Sequence, residues 1–301
     1  MAESFVLPAS KLAPVRLRRP VVDRPRLVHN LQEGIARRLV IVTAEAGYGK
    51  TCLLVSGLAH LDRPVAWLTL DEADTDPNLF GAGVVLALRQ VAPGVGQAAL
   101  EVLTTGPSQD ILSSAMLRTV DELQSETVLV LDDFHVLDGS AAAHALVDHL
   151  LTRASQRLHL VIASRTRPPL RSLPRLLVQR EAFLLDRVAL AFRPDEARAF
   201  LTESFGLPVD EDQARDLAER TEGWAAALSL VAQAAERRGL PALDPVREAA
   251  YRDLMHYALL RGRRDEAITV YRECVQALEQ GLGVAPEPST RRLLDEVRRP
   301  A

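Results

Sequence analysis

Residues 39–61 read LVIVTAEAGYGKTCLLVSGLAHL, and this stretch decides the fold. Leu39 to Thr43 is a short apolar run without polar alternation, as expected of a strand buried on both faces of a parallel sheet. Thr51 to Leu61 has helical spacing. Between them, Ala44-Glu45-Ala46-Gly47-Tyr48-Gly49-Lys50-Thr51 satisfies G-x-x-x-x-G-K-[ST] everywhere except at its first position, Ala44. Such a loop turns its backbone N–H groups inward at a helix N-terminus, where they hold phosphate oxygens. Gly47 and Gly49 let the backbone come close. Lys50 would reach the β- and γ-phosphates and serve catalysis as a fixed charge, and Thr51 would place its hydroxyl on magnesium. Ala46, Tyr48 and Cys52 complete the phosphate-contacting turn, with Cys52 a small packing residue rather than a nucleophile. The expected cofactors are ATP or ADP and Mg2+.

Working outward, further apolar runs occur at Pro64 to Leu70, Thr127 to Leu131 and Leu158 to Ala163, with a fifth strand expected at Val188 to Phe192. Helical patterns fill the gaps at Leu79 to Arg89, Ser113 to Leu123 and Ala141 to Ala154. This alternation predicts βαβ units and an α/β three-layer sandwich of the P-loop NTPase kind, with a parallel sheet. The third run ends in Asp132-Asp133. Next to a phosphate loop, the first carboxylate is expected to hold the magnesium shell and the second to orient or deprotonate water. In isolation, two Asp residues could equally end a strand and open a turn. His135, two residues on, reads as a packing or hydrogen-bonding residue rather than a catalytic one. Ala163-Ser164-Arg165 closes the fourth run at the carboxyl edge of the sheet, where ligands bind in open α/β folds. Arg165 there would stabilise transition-state charge, against the alternative of a surface arginine, and Arg167 is a weaker candidate.

After Phe192 the strands stop. Helices are expected at Asp195 to Phe205, Glu211 to Thr221 and Trp224 to Arg238, punctuated by Gly206, Gly223 and Gly239. A linker, 239–245, precedes two helical patterns within 246–279 and a last helix from Ser289 to Arg298 that Ser289 or Thr290 would cap. Leu254, Tyr257, Gly262, Ala267 and Tyr271 have the spacing of a tetratricopeptide hairpin. One hairpin is too small to stand alone and must pack on its neighbours. The expected division is a basic lead-in at 1–25, a P-loop NTPase domain at 26–192, a small helical lid at 193–239 and a TPR-like region at 246–299.

The chain of 301 residues is 48% hydrophobic and carries a net charge of -4, so no global field favours nucleic acid or an anionic membrane. Basic charge is local, from Lys11 through Arg16, Arg18, Arg19, Arg24, Arg26 and Arg37 to Arg38. That arm could meet nucleic acid, nucleotide phosphates or solvent. Cys52 and Cys274 form no disulfide framework or metal-ligand spacing, which fits a cytoplasmic protein. No apolar run reaches the roughly 18 residues that span a bilayer.

Six segments, AEAGYGKT, VAWLTLDEADTDPNLF, VLVLDDFHVL, VIASRTRPPL, LAFRPDEARAFL and TEGWAAALSL, occur in the order found in the MalT-like regulators. Residues 10–237 resemble the nucleotide-binding core of these signal-transduction ATPases of the STAND class. The resemblance implies that Ala44 is a tolerated loop residue and that Arg24-Pro25-Arg26-Leu27 lies near the adenine base, which places Arg24 among the nucleotide contacts. It also implies that Arg165 senses phosphate and that Thr221-Glu222-Gly223-Trp224 belongs to a helical lid. Residues 243–297, and GLGVAPEPSTRRL above all, resemble the second half of the TPR-like bacterial transcriptional activation domain of SARP-type regulators. The implied function is slow Mg-dependent ATP hydrolysis coupled to conformational switching in transcription regulation. A nucleotide-bound adaptor without turnover, whose C-terminal helices bind a protein partner, fits the same residues. Nucleotide-dependent self-association fits the class as well. Direct DNA binding and membrane association are not expected.

Overall fold

The computed structural model describes residues 7–17, 22–59, 61–238, 248–260, 264–282 and 284–298. Arg18 and Arg19, the expected linker 239–245, residues 261–263 with Gly262 of the hairpin spacing, and the side chain of Tyr257 lie outside the described residues. Five strands form one parallel sheet: β1 (Leu39–Thr43), β2 (Val65–Thr69), β3 (Thr127–Asp132), β4 (Leu158–Ser164) and β5 (Ala182–Leu185). Their order is β2-β3-β4-β1-β5, with Thr43 opposite Ser164 and Thr69 opposite Asp132. The strand that feeds the loop and the strand that ends in Asp132 are therefore not neighbours, and β4 runs between them.

The helices before and between the strands are α1 (Pro25–Ile35), α2 (Lys50–Leu58), α3 (Pro77–Val91), α4 (Gln97–Leu103), α5 (Gln109–Asp121) and α6 (Ala141–Arg153). Short helices α7 (Leu173–Val178) and α8 (Arg187–Leu190) flank β5. Leu39, Ile41, Leu68, Leu129, Leu131 and Leu160 join the side chains of α3 to α6 in one core. On the opposite face α1 lies so close that a Cβ at Gly34 would meet Phe183 and Val40, and α2 packs on Leu31 through Gly57. Both faces are covered, which is why the strands carry no polar alternation.

The fifth strand is Ala182–Leu185, not the expected Val188 to Phe192. Asp186 explains the difference: its carboxylate accepts the Ala189 N–H and starts a helical turn there. The helix α4 was also outside the sequence expectation, being short and set among Gly94, Gly96 and Gly106.

Several of the basic residues between Lys11 and Arg38 help to build the fold. Arg24 donates to the Leu190 carbonyl and Arg26 to that of Ala189, which fixes the start of α1 on α8. Arg37 donates to the Ala182 carbonyl, and Arg38 to those of Leu150 and Ala154. Lys11 is buried, 2.6 Å from the fully buried Asp74 and 2.9 Å from the exposed Asp71, while Leu7 and Leu12 pack on the main core beside it. Burial alone would lower the Lys11 ammonium, but its bonds to the two carboxylates leave it above 10.5, and Lys11 holds the Asp71 carboxyl below 3.8. Replacing Lys11 with methionine should cost about 2–3 kcal/mol in urea unfolding, because Asp74 is left buried without its cation. Asp71, with its lowered pKa, contributes above its unfolded value and loses that contribution on acidification. The gap between wild type and variant should therefore narrow as the pH falls below 3.8.

Residues 191–301 form a second compact unit. Helices α9 (Pro194–Phe205), α10 (Glu211–Arg220) and α11 (Ala225–Arg238) share a core of Ala197, Leu201, Leu217, Leu228 and Ala232. Helices α12 (Glu248–Leu260), α13 (Arg264–Leu282) and α14 (Pro288–Arg298) share another around Met255, Ala267, Val270 and Leu294. Leu254, Ala267 and Tyr271 of the hairpin spacing all face that second core, and α11 packs against α12. The hydroxyls expected to cap α14 act otherwise: Thr290 donates to the buried Glu248 at 2.6 Å and Ser289 to Glu287. Within this unit Glu222 and Gly223 are both left-handed, with φ of 47 and 65. A Cβ on Gly223 would lie 2.5 Å from the Phe192 nitrogen, whose N–H donates to the Gly223 carbonyl. The Thr221 to Trp224 segment is thus a close backbone crossing that only glycine allows.

Candidate functional site

The loop after β1 is shaped by two glycines. Gly47 and Gly49 have φ of 83 and 81, and Gly49 is the left-handed residue that leads into α2. No atom lies within 4 Å of where a Cβ of Gly49 would stand. A side chain there is opposed by backbone strain rather than by crowding. Lys50 opens α2 and is buried; its Nζ donates to the carbonyls of Ala44 at 2.6 Å and Glu45 at 2.9 Å. Those bonds hold the ammonium across the mouth of its own loop. Burial pushes Lys50 down to about 8, aided by the nearby Arg165 and opposed by Asp133, Asp132 and Glu45. Ala46 and Tyr48 are buried in the loop, whereas Cys52 is half-buried on α2 with its thiol raised by burial.

Thr51 Oγ1 donates to Asp132 Oδ2 at 3.0 Å, joining residues 81 apart in sequence. Asp132 Oδ1 accepts the Asp133 N–H at 3.0 Å. Asp132 is 2% exposed, and burial together with the Asp133 charge pushes its carboxyl above the usual range. This donor set fits a hard cation. Thr51 gives away its proton and keeps its lone pairs, and Asp132 is a buried anion in want of positive charge. Thr51 and Asp132 would hold Mg2+, which in such sites takes few protein oxygens and completes its shell with water and phosphate.

Asp133 departs from β3 in the left-handed region, with φ 57, and its side chain is half-exposed. Asp is among the few non-glycine residues that adopt this conformation readily, and such positions concentrate at functional sites. Arg165 follows β4 directly, and its charge reaches both Lys50 and His135. Arg167 is exposed. Arg24 is buried, with its guanidinium on the Leu190 carbonyl. The geometry thus brings Lys50, Thr51, Asp132, Asp133 and Arg165 to one edge of the sheet. Two further side chains stand at that edge. Ser164, fully buried, has a hydroxyl without a hydrogen-bond partner, and His135 lies within 3.8 Å of Asp133. The signal for His135 was its place one turn past the strand end.

Among the described residues no group of three or more His, Cys, Asp or Glu could hold a metal by itself, and no helix is long and apolar enough to cross a membrane. The strand order, the left-handed glycine loop and the Thr51–Asp132 pair define a P-loop α/β protein of the three-layer kind. In fold the chain resembles a STAND protein with a tetratricopeptide repeat sensor from Pyrococcus horikoshii. The TM-score is 0.55 at 16% identity, over 95% of this chain and 44% of that one. It is 31% identical over 231 residues to the HTH-type transcriptional regulator MalT of Yersinia enterocolitica, covering 76% of this chain and 25% of MalT. It is 32% identical over 231 residues to the serine/threonine-protein kinase PknK of Mycobacterium tuberculosis, covering 75% of this chain and 20% of PknK. The family model of the bacterial transcriptional activator domain matches residues 209–298, so it begins at α10. This chain carries a MalT-like core, and its helices α10 to α14 fall within the match to the bacterial transcriptional activator domain. It spans a quarter or less of the length of those two curated relatives.

Proposed function

We propose that this chain binds ATP and ADP with magnesium at residues 44–51 and hydrolyses ATP slowly, as the regulatory core of a transcription-control protein. The observation that carries this is the Thr51–Asp132 contact at 3.0 Å beside a buried lysine on a left-handed glycine loop. Lys50 and Arg165 would offset phosphate charge, and the loop N–H groups would hold the β-phosphate. Bound Mg2+ would supply Lewis-acid stabilisation of the phosphate oxygens. Asp133 would take a proton from water as the water oxygen attacks the γ-phosphorus. The bond from that phosphorus to the β,γ-bridging oxygen breaks, and ADP and phosphate leave. Turnover of this kind acts as a timer on conformation. The match of α10 to α14 to an activator domain supports a protein partner as the recipient of the signal.

Phosphate release by the purified chain tests the reading. A burst of one phosphate per chain or slow turnover supports it, and ATP held without release leaves an adaptor that only binds. Chelating magnesium should weaken ATP binding about 10-fold and stop release, and Thr51→Ala should reproduce the weaker binding at saturating magnesium. ATP affinity indifferent to both changes would remove the metal site.

A further inference from the structure

His135 has so far been given no task. It lies in the single turn Phe134–Leu137 that follows Asp133, with its side chain 18% exposed. Its Nδ1 is buried and makes no hydrogen bond, and Asp133 Oδ1 stands 3.8 Å away. A buried ring nitrogen without a partner costs the fold about 1–3 kcal/mol. Such a cost, retained at the edge of a reactive site, points to a partner that arrives during function. Asp133 is the group able to arrive, since its side chain is 49% exposed while His135 is packed. Burial first, then the charges of Arg165 and Lys50, favour the neutral imidazole, against Asp133 and Asp138. A neutral ring has one N–H to give. A shift of the Asp133 carboxylate by about 1 Å brings the pair from ion-pair distance into hydrogen-bond range.

We propose that His135 is a positioning residue whose Nδ1–H holds the Asp133 carboxylate in the orientation that accepts a proton from the attacking water. One carboxylate oxygen is then occupied by His135 and the other is left, in a fixed direction, for water. This rests on the reading of Asp133 as the base. The contact bears on the orientation of the base and not on phosphate, so its loss slows the chemical step and leaves nucleotide affinity unchanged.

The test is single-turnover phosphate release by the full chain, with ATP and ADP affinities measured in parallel. His135→Ala should slow release about 10-fold with affinities unchanged. His135→Asn places an amide nitrogen where Nδ1 stood and should recover most of the rate, whereas His135→Gln, with its donor one bond further out, should not. In an Asp133→Asn background, His135→Ala should cost nothing further, because the two act as one unit. Wild-type rate in His135→Ala, rescue by Gln but not Asn, an added loss in the Asp133→Asn background, or weakened ATP binding would each overturn the proposal. If Asp133→Asn slows release and His135→Ala does not, His135 alone is removed. If Asp133→Asn releases phosphate at the wild-type rate, or wild type releases none, the base falls and the positioning role with it.

Discussion

Replacing Lys50 with alanine should lower the affinity for ATP and ADP at least about 10³-fold while leaving the chain folded. The size follows from where the ammonium sits. It is buried at the start of α2, so its attraction for a phosphate is far less screened than that of a surface lysine. It is also held in place beforehand by the Ala44 and Glu45 carbonyls, so little side-chain entropy is lost on binding. Burial holds its pKa down at about 8, which means the free site resists its own charge. A phosphate chain relieves that penalty, and the relief is part of the binding energy. Alanine removes all of this and leaves two carbonyls for water to satisfy. Isothermal titration with ADP and with Mg-ATP, together with a thermal melt, separates lost binding from lost folding. Affinity within a few-fold of wild type would remove residues 44–51 as the nucleotide site.

Asp133→Asn should have the second largest effect, with hydrolysis falling about 10²- to 10³-fold while ATP affinity stays within a few-fold of wild type. Asparagine is the sharp substitution here because it too adopts the left-handed conformation that ends β3. The backbone turn and the Asp133 N–H to Asp132 bond are thus preserved, and what is lost is the carboxylate charge and with it the capacity to take a proton. Phosphate release under single turnover is the readout. An unchanged rate would mean that water is activated by another group. A lost affinity would mean that Asp133 belongs to the binding of the metal or the phosphates instead.

What could be read in the sequence was whatever chemistry ties to spacing. Gly47, Gly49, Lys50 and Thr51 stand at the spacing of a phosphate cradle, and Asp132-Asp133 ends an apolar run as the magnesium-side carboxylates of such a site would. Four strands were legible because both their faces are buried. The fifth was misplaced because Ala182–Leu185 gives only four residues of signal. The Val188 to Phe192 run looked more strand-like, yet it is governed by the cap from Asp186. Arg24 and Arg37 looked like part of a surface arm because their partners are carbonyls more than a hundred residues away, Leu190 for Arg24 and Ala182 for Arg37. Tertiary partners of that kind leave no local pattern. His135 stands two residues from Asp133 and was legible by place, but the left-handed turn at Asp133 that sets their spacing was not.

The placing of β4 between β1 and β3 also sets a clock on the chain's birth. The loop at residues 44–51 is made before β4, but the strand that feeds it pairs only with β4 and β5. Until β4 has been made, β1 has no neighbour, and the phosphate loop hangs on an unpaired strand. Long-range parallel pairing of this sort is slow to form and exposes apolar edges while it waits. A nucleotide bound at this loop would meet a nearly finished sheet, and would act as a late clamp on molecules made through Ser164 rather than as an early template.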